Sequence, residues 1–364
     1  MVVYMPRLPL LCLSRRTAAM LSRTFSDRVL PSASARLLRP EDVKASALDL
    51  DEIDVDLFVA PQTHLWVPAG GVGVYGGQVI GQALHAAALT SEDPAFELHS
   101  MHAYFLRPGN PNHGIVYTVK RTRDGRSFKS RSVEASQRGK VIFKCATSFH
   151  KAESSPLDHQ TSMPDVPPPE ELEPFDYERL VRSLLRRQEQ EAAAAAVAAG
   201  EVDSANCSTA AAKKEEVRVA LEQQVAAALD QPFQLDVRWV SKNPAALEAR
   251  PARQLAWIKT ARALPKNAPH LHRAVAAFYS DLHLLTTSLL PHGVGFPSFR
   301  LGTLASLDHS MWFHAPFEAD EWMLMELESP RMSGGLGLSF GKFYRPDGVL
   351  AVTCAQEGLV RLVP

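Results

Sequence analysis

The sequence has few cysteines, almost no net charge and no long apolar run. Its 364 residues include only four cysteines, none of them in a C-x-x-C pair, so we expect neither a disulfide framework nor a structural zinc site. The formal net charge of −1 gives no general reason to expect a nucleic-acid partner. No stretch reaches the roughly 20 apolar residues that cross a bilayer, so we expect no membrane span.

Acidic side chains are absent from the first 26 residues, which carry Arg7, Arg15, Arg16 and Arg23. The apolar run Leu8–Leu13 is short for a secretory signal, and the composition is typical of a mitochondrial transit peptide. A disordered extension and a misassigned start codon are the alternatives. The chain ends in RLVP, which is not an S-K-L type of peroxisomal address. We therefore predict a mitochondrial protein, with the peroxisome and the cytoplasm as alternatives.

Two parts of the chain resemble each other. "HSMHAYFLRPG" (99–109) aligns with "HSMWFHAPF" (309–317) at an offset of 208 residues, which places Tyr104-Phe105 on Trp312-Phe313. "GKVIFKCATSF" (139–149) aligns with "GVLAVTCAQEG" (348–358) at an offset of 209. A near-constant offset over about 40 residues indicates an internal duplication.

Each copy begins with a helix-like stretch, Gln78–Leu89 in the first half and Leu271–Leu290 in the second. Strand-like runs separated by glycine-containing turns follow each helix. In order they are GIVYTVKRT, SFKSRSVEAS and KVIFKCATSF, then EWMLMELES, GLSFGKFYR and VLAVTCAQEG. A long helix followed by an antiparallel meander predicts an α+β fold in which a sheet wraps around a helix, built twice.

The duplication divides the chain into four parts. We predict a targeting or disordered extension over 1–44, one half over 45–160, a linker over 161–231 and the other half over 232–364. Within the linker, residues 188–224 are dominated by Ala, Glu, Gln and Lys, which favours helix but offers little apolar surface to bury. We expect no catalytic residue there and interpret Cys207 as an ordinary thiol.

The stretch GGVGVYGGQVIGQAL (70–84) contains a G-x-G-x-x-G pattern at Gly71, Gly73 and Gly76. A dinucleotide fingerprint needs a preceding buried strand and a βαβ unit. Here the preceding PQTHLWVPAGG makes a poor strand, and an antiparallel meander follows the helix. We interpret these glycines as architectural, with a secondary role in lining a substrate mouth.

Two further patterns do not point to the chemistry that they resemble. GLSFG at Gly337–Gly341 matches G-x-S-x-G, but Ser339 lies in a predicted strand and no histidine follows it, which excludes an α/β-hydrolase order. His99 and His102 point to opposite faces of a strand. We interpret these histidines, and the cluster of Asp308, His309 and His314, as structural or surface residues and predict no metal site.

One carboxylate stands alone in the second helix-like stretch. Asp281 interrupts AVAAFYSDLHLLTTSLL, whereas the corresponding stretch of the first half has no acid, so we expect one active site per chain. Ser306 precedes the aromatic strand, and Gln356 lies near the end of the last strand. An aspartate can act as general base on a water that a hydroxyl and an amide orient, which suits an electrophilic carbonyl such as a thioester.

Five segments together resemble the acyl-CoA thioesterase II family, which has bacterial and peroxisomal members. They are GGQVIGQAL, HSMHAYFLRPG, TRDGRSF, LDHSMWFH and AQEGLVR, and the resemblance covers about 45–160 and 232–361. It implies a double hotdog fold and a catalytic trio of Asp281, Ser306 and Gln356. Serine stands where the bacterial members have threonine, and the insertion at about 187–225 is not part of the family pattern.

A basic run flanks the first-half turn, with Lys120, Arg121, Arg123, Arg126, Lys129 and Arg131. It is either a solvated hairpin or a landing site for the phosphates of coenzyme A. As substrate-binding candidates we take two of these residues and three from the motifs above: Arg107, Arg123, Arg126, Gly77 and Gln78.

The resulting expectation is an enzyme that hydrolyses fatty acyl-CoA to a free fatty acid and coenzyme A without a cofactor. An acyl-CoA hydratase or dehydratase is an alternative, although His283 lies two residues beyond Asp281 and would point elsewhere on a helix. A hotdog protein that only binds acyl-CoA is another. Because hotdog sheets associate through exposed edges or faces, we expect a homo-oligomer, a dimer or a tetramer. The sequence leaves the preferred acyl chain length open.

Overall fold

The computed structural model describes residues 2–4, 47–68, 71–91, 93–176, 235–241, 248–295 and 301–362. Most of the arginine-rich extension, the insertion at 187–225 and the thiols Cys12 and Cys207 lie outside the described residues. Of the extension, Val2–Tyr4 forms strand β1. Among the described helices, none is long and apolar enough to cross a membrane.

The first half places one helix against six strands. They are β2 (Asp51–Asp54), β3 (Leu57–Ala60), α1 (Gly76–Leu89), β4 (Phe96–Phe105), β5 (Ile115–Asp124), β6 (Phe128–Gln137) and β7 (Lys140–Lys151). The three predicted meander strands are thereby confirmed as β5, β6 and β7. The tight turn between β6 and β7 has φ of 50° at Arg138 and 73° at Gly139, the left-handed values that a two-residue hairpin turn requires.

The second half repeats this order. It comprises β8 (Leu235–Trp239), β9 (Arg253–Thr260), α2 (Pro269–Ser280), β10 (Leu301–Ser306), β11 (Asp308–Phe313), β12 (Met323–Ser333), β13 (Leu336–Tyr344) and β14 (Leu350–Leu362). Ser339 lies in strand β13 and not on a strand-to-helix turn, as predicted.

All described strands belong to one antiparallel sheet. Its order is β2-β3-β5-β6-β7-β4-β11-β14-β13-β12-β9-β8, with β10 pairing β14 and β1 pairing β10. The halves join where β4 pairs β11, and there His102 lies opposite Ser310. Those two residues are related by the 208-residue offset, so a local twofold axis passes between them. The duplication read from the sequence is a structural one.

The two helices pack against each other on the inner face of this sheet, in a core that both halves share. Helix α1 is almost entirely buried, and its glycines allow the close approach: a Cβ at Gly81 would lie 2.8 Å from the carbonyl oxygen of Ala274 in α2. This double helix-on-sheet arrangement confirms the α+β double hotdog fold.

The second helix ends earlier than predicted. We expected one helix over Leu271–Leu290, but α2 stops at Ser280, and Asp281 is its C-cap residue. His283 then has a φ of 61°, and a 3-10 segment runs over Leu285–His292. The apolar pattern continues through this break because the 3-10 segment also packs against the sheet, so the periodicity did not reveal where the α-helix ends.

Candidate active site

Asp281 lies where the ends of the two helices meet. As the C-cap residue of α2 it faces the first turn of α1, and its Oδ2 accepts a hydrogen bond of 3.0 Å from the backbone N–H of Gly77. The positive end of the α1 dipole stabilises a negative charge there. The side chain is 6% exposed, so a carboxylate is held almost out of solvent.

Ser306 reaches Asp281 because the strand that carries it is interrupted. β10 ends at Ser306 and β11 begins at Asp308, while Leu307 between them exchanges backbone hydrogen bonds with two other strands. The Oγ of Ser306 donates to Oδ1 of Asp281 over 3.2 Å. Each carboxylate oxygen of Asp281 therefore accepts one hydrogen bond.

Gln356 extends this network from strand β14. Its Nε2 donates to the Oγ of Ser306 over 2.9 Å, and its Oε1 lies 2.5 Å from Nδ1 of His309. The other ring nitrogen of His309 lies 3.0 Å from the Oγ of Ser280, the last residue of α2. The fold thus brings the three predicted catalytic residues together, in a buried chain of hydrogen bonds.

A cavity of about 150 Å³ opens beside Ser306. Its walls are mostly apolar and come from both halves, including Val79 of α1, Phe105 of β4 and Ile142 of β7. Gly76, the first residue of α1, also lines it. Arg107 lies at the exposed rim, where its Nη1 donates to the carbonyl oxygen of Val141 over 2.6 Å.

Gly77 and Gln78 have different surroundings from those expected of substrate-contacting groups. The N–H of Gly77 is directed at Asp281, so this glycine acts on the carboxylate. The amide of Gln78 is used within the chain: Nε2 donates to the carbonyl oxygens of Ala47 and His64, and Oε1 accepts from the N–H of Trp66. Gln78 ties the segment that precedes α1 to the helix.

The basic run lies far from this cavity. Arg123 and Arg126 are exposed at the β5–β6 turn, beyond the end of α1 that is opposite Gly77. The 13 helical steps from Gly77 to Thr90 correspond to about 20 Å. Arg121 is paired with Asp56, and Arg131 is buried. Of the arginines predicted to bind substrate, the structure places only Arg107 beside the trio.

The position of the first half that corresponds to Asp281 carries no carboxylate. Thr90 caps α1 as Asp281 caps α2, and the pair Arg131–Thr147 occupies the register of Ser339–Gln356. The guanidinium of Arg131 fills this place and donates to the Oγ1 and the carbonyl oxygen of Thr90 over 2.9 and 3.2 Å. The two places that the local twofold axis relates therefore differ: one holds the carboxylate of Asp281, and the other holds the guanidinium of Arg131.

The histidines considered as metal ligands have separate partners. His99 contacts Ser148, and His102 contacts Ser310. Within the described residues, His272, Glu318 and Asp320 do bring ligand-type atoms within 4.8 Å of one another. However, Nδ1 of His272 accepts the N–H of Ala319 and its Nε2 faces a backbone carbonyl, so both ring nitrogens already have protein partners.

Sequence reasoning missed two contributors to the site. Gly77 was expected at a substrate mouth and His309 among the structural histidines, yet both contact the trio directly. One signal could have found His309. It shares the inner face of β11 with Met311 and Phe313, and a histidine among buried apolar residues requires polar partners.

The fold and this network define the class of the protein: a double hotdog with one buried carboxylate site between its halves. The family models described as acyl-CoA thioesterase N-terminal domain and acyl-CoA thioesterase C-terminal domain match residues 63–150 and 204–360. The second match begins inside the predicted linker. The chain belongs to the acyl-CoA thioesterase family.

Individual relatives support this membership. Acyl-coenzyme A thioesterase 8 of Mus musculus is 42% identical over 88% of this chain and 89% of its own length. Acyl-CoA thioesterase 2 of Haemophilus influenzae is 32% identical over 86% of this chain and 95% of its own length. Peroxisomal acyl-coenzyme A thioester hydrolase 1 of Saccharomyces cerevisiae is 24% identical over 80% of this chain and 87% of its own length.

Solved structures resemble the whole fold. Acyl-CoA thioesterase II TesB2 from Mycobacterium marinum superposes with a TM-score of 0.61 at 31% identity, covering 87% of this chain and 98% of that one. A hot dog fold protein of unknown function from Alicyclobacillus acidocaldarius reaches the same TM-score, 0.61, at 17% identity over 88% of this chain and 97% of its own. That second likeness shows the fold alone.

Proposed function

We propose that this chain hydrolyses the thioester of fatty acyl-CoA to a free fatty acid and coenzyme A, with Asp281, Ser306 and Gln356 as catalytic residues. The observation that carries the proposal is the hydrogen-bonded trio beside an apolar cavity that Ser306 lines. The names of its relatives state this activity of those proteins. The mostly apolar wall of the cavity suits the binding of an acyl group next to the trio.

In the proposed reaction Asp281 removes a proton from a water as the water oxygen attacks the thioester carbonyl carbon. The Ser306 hydroxyl donates to Asp281 and accepts from Gln356, which leaves one lone pair to accept a hydrogen from that water. The C–S bond of the resulting tetrahedral intermediate then breaks. The acid leaves with the new oxygen, and the sulfur of coenzyme A takes the proton held by Asp281.

The first turn of α1 supplies donors for the oxygen that becomes negative. The N–H groups at a helix start have no acceptor within the helix, and they concentrate positive potential. Gly76 lines the cavity at this point, and fixed backbone donors aimed at a developing oxyanion contribute to catalysis of acyl transfer. A hydratase that pairs an aspartate with His283 receives no support, because that ring packs edge-on against Trp239.

The test is coenzyme A release, followed as free thiol from acyl-CoAs of graded chain length. Asp281→Asn keeps the shape but removes the base, so kcat should fall about 100-fold or more. The matched control is Asp308→Asn, whose side chain accepts the N–H of Glu357 and does not belong to the trio. Acyl-CoA binding without thiol release by the wild type would instead identify a binding protein.

We also propose Arg107 as a contact for the polar part of coenzyme A, because its charged head lies at the rim of the cavity. Arg107→Gln should raise KM with little change in kcat. Gly77 and Gln78 are proposed to act on the substrate only indirectly. Gly77 acts through the carboxylate of Asp281, and Gln78 acts by holding the start of α1. Contacts from Arg123 and Arg126 stay predictions, and the same KM measurement on Arg123→Gln and Arg126→Gln tests them.

The cellular compartment and the oligomeric state of the protein are also proposals. The arginine-rich start supports the mitochondrion, while the name of the yeast relative supports the peroxisome. Imaging the chain with a fluorescent protein at its carboxyl end, with and without residues 1–26, distinguishes these compartments and the cytoplasm. We further propose a homo-oligomer.

A further inference from the structure

We propose that His309 is a positioning residue of the proposed catalytic trio: its Nδ1–H fixes the amide of Gln356 so that the amide nitrogen faces Ser306. The inference rests on the proposed function, because it assigns a role to a neighbour of that trio. His309 itself makes its two hydrogen bonds to Gln356 and Ser280, one layer behind the cavity.

The surroundings of His309 allow it few alternatives. Its side chain is 0% exposed, on the inner face of β11. Burial lowers the pKa of the ring, although the nearby carboxylate of Asp281 opposes this shift. A neutral imidazole carries a single N–H, so one of its nitrogens must donate and the other must accept.

The carboxylate of Asp281 sets which group donates in each hydrogen bond of this network. Ionised Asp281 can only accept, so Ser306 must direct its single proton to Oδ1. Ser306 can then only accept from Gln356, and the amide nitrogen must face it. This leaves Oε1 of Gln356 facing the imidazole at 2.5 Å, where only a protonated Nδ1 makes a hydrogen bond.

The reverse arrangement satisfies His309, Gln356 and Ser280 but removes the donor from Oδ1 of Asp281, which is why a proton on Nδ1 of His309 matters. With the proton on Nε2, His309 would donate to Ser280, whose hydroxyl lies 2.9 Å from the carbonyl oxygen of Ala277 and can donate there. Gln356 would turn its nitrogen to Nδ1 and its oxygen to Ser306. The Ser306 proton would then leave Asp281, and the base would lose one of its two positioning contacts.

Two substitutions separate hydrogen bonding from packing. His309→Phe keeps a buried ring but has no donor, whereas His309→Asn is smaller but keeps an amide N–H near the position of Nδ1. If His309 positions Gln356, His309→Phe should lower kcat by up to about 100-fold with little change in KM, and His309→Asn should retain more of kcat. If His309 only fills space, the order reverses, because the Asn variant leaves a cavity.

A double-mutant cycle tests whether the effect passes through Gln356. Gln356→Ala should lower kcat alone, and His309→Phe added to it should lower kcat no further. His314→Phe is the matched control, since His314 follows the same strand but is exposed and contacts Thr353. Its kcat should equal that of the wild type.

The outcomes distinguish this inference from the proposed function. Additive losses in the cycle, or greater activity of the Phe variant than of the Asn variant, would overturn the role of His309 and leave thioester hydrolysis intact. A Gln356→Ala enzyme with undiminished kcat would instead remove Gln356 from the proposed trio. Circular dichroism and thermal unfolding confirm which variants are folded before their rates are compared.

Discussion

At the scale of single residues, Gly77 connects the packing of the helices to the position of the carboxylate. A Cβ at this position would lie 2.2 Å from the carbonyl oxygen of Phe278 and 2.6 Å from the ring of Tyr75. Any side chain would therefore push the start of α1 away from the end of α2. Its N–H would move with it, away from Asp281.

Gly77→Ala should therefore lower both Tm and kcat. Gly81→Ala provides the comparison, because a Cβ there would be crowded similarly, 2.8 Å from Ala274 O, but its N–H does not contact Asp281. We expect a similar loss of Tm in the two variants and a loss of kcat of up to about 100-fold in Gly77→Ala alone. Equal kcat values in the two folded variants would show that the N–H of Gly77 does not matter to the reaction.

His283 makes stability depend on pH. Burial lowers the pKa of this ring from 6.5 to about 4. The unfolded chain then binds a proton more readily than the folded chain between those values. Above pH 6.5 the ring is neutral in both states and does not lower the free energy of unfolding. As the pH falls from 6.5 towards 4, protonation of the unfolded chain lowers this free energy, by about 2 kcal/mol at pH 5.

His283→Asn should flatten this dependence, since asparagine tolerates the left-handed backbone at this position. The measurement is the free energy of unfolding in urea at pH 7.5 and pH 5. The exposed His159 offers a control, and His159→Asn should keep the slope of the wild type. An unchanged slope in His283→Asn would mean that its ring is not responsible.

At the scale of elements, two interruptions create the site. Helix α2 stops at Ser280, which leaves Asp281 at its end, and the strand pair β10–β11 breaks after Ser306. In the first half, α1 also ends just before its C-cap residue, Thr90, and the pairing of β4 with β7 shifts register between Leu98 and Ser100. The repeats therefore share these interruptions and differ in the residues placed there. Thr90 stands where the second half has Asp281, and Leu98 stands at the 208-residue offset from Ser306, so only the second half presents a carboxylate and a hydroxyl to each other.

The counterpart place in the first half is expected to contribute stability and not activity. Arg131 is 1% exposed and donates to Thr90, to backbone carbonyls and to Asp124. Arg131→Met should lower the free energy of unfolding by about 2 to 3 kcal/mol, because it removes charge-assisted hydrogen bonds and leaves buried acceptors without donors.

The matched control for Arg131 is Arg121→Met, which breaks an exposed ion pair with Asp56 and should cost less than about 1 kcal/mol. Because Arg131 lies about 20 Å along α1 from Gly77, kcat of the folded Arg131→Met enzyme should be unchanged. If the Arg131→Met variant is fully folded but has a lower kcat, the packing around Arg131 affects the active site.

At the scale of the whole molecule, the outer face of the sheet is the candidate contact between subunits. Around the junction of the halves it exposes large apolar side chains, with Tyr104 at 64%, Trp312 at 36% and Phe340 at 37%. Such a patch on the outside of a sheet is typical of an interaction surface.

We expect the wild type to sediment as a dimer or a tetramer, and Tyr104→Lys combined with Trp312→Lys to give a smaller species. Leu157→Lys, which alters a residue that is 86% exposed outside the sheet, should not change the mass. Analytical ultracentrifugation measures each species. A monomeric wild type would contradict the proposed homo-oligomer.

The duplication and its strands could be predicted because they depend on local patterns. Alternating residues, glycine turns such as Arg138-Gly139 and a constant offset are properties of neighbouring positions, and they led to the correct fold class. The trio was also reachable, because Asp281 interrupts an apolar run and the motifs around Ser306 and Gln356 resemble those of a family. The outer strands β2, β3, β8 and β9 were missed; β2, β3 and β8 are only four or five residues long, whereas β9 has eight.

The tertiary structure decided how these residues act on one another. The end of α2 after Ser280, the N–H of Gly77 on Asp281 and the place of His309 behind Gln356 all depend on how helices and strands pack. Gly77 and Asp281 are 204 residues apart in the chain, and His309 and Gln356 are 47 apart. The same packing buried Arg131, which the sequence had grouped with basic residues of a solvated hairpin or a phosphate-binding site. Charge and periodicity describe a residue by its neighbours in the chain, whereas hydrogen bonding and burial are set by its neighbours in space.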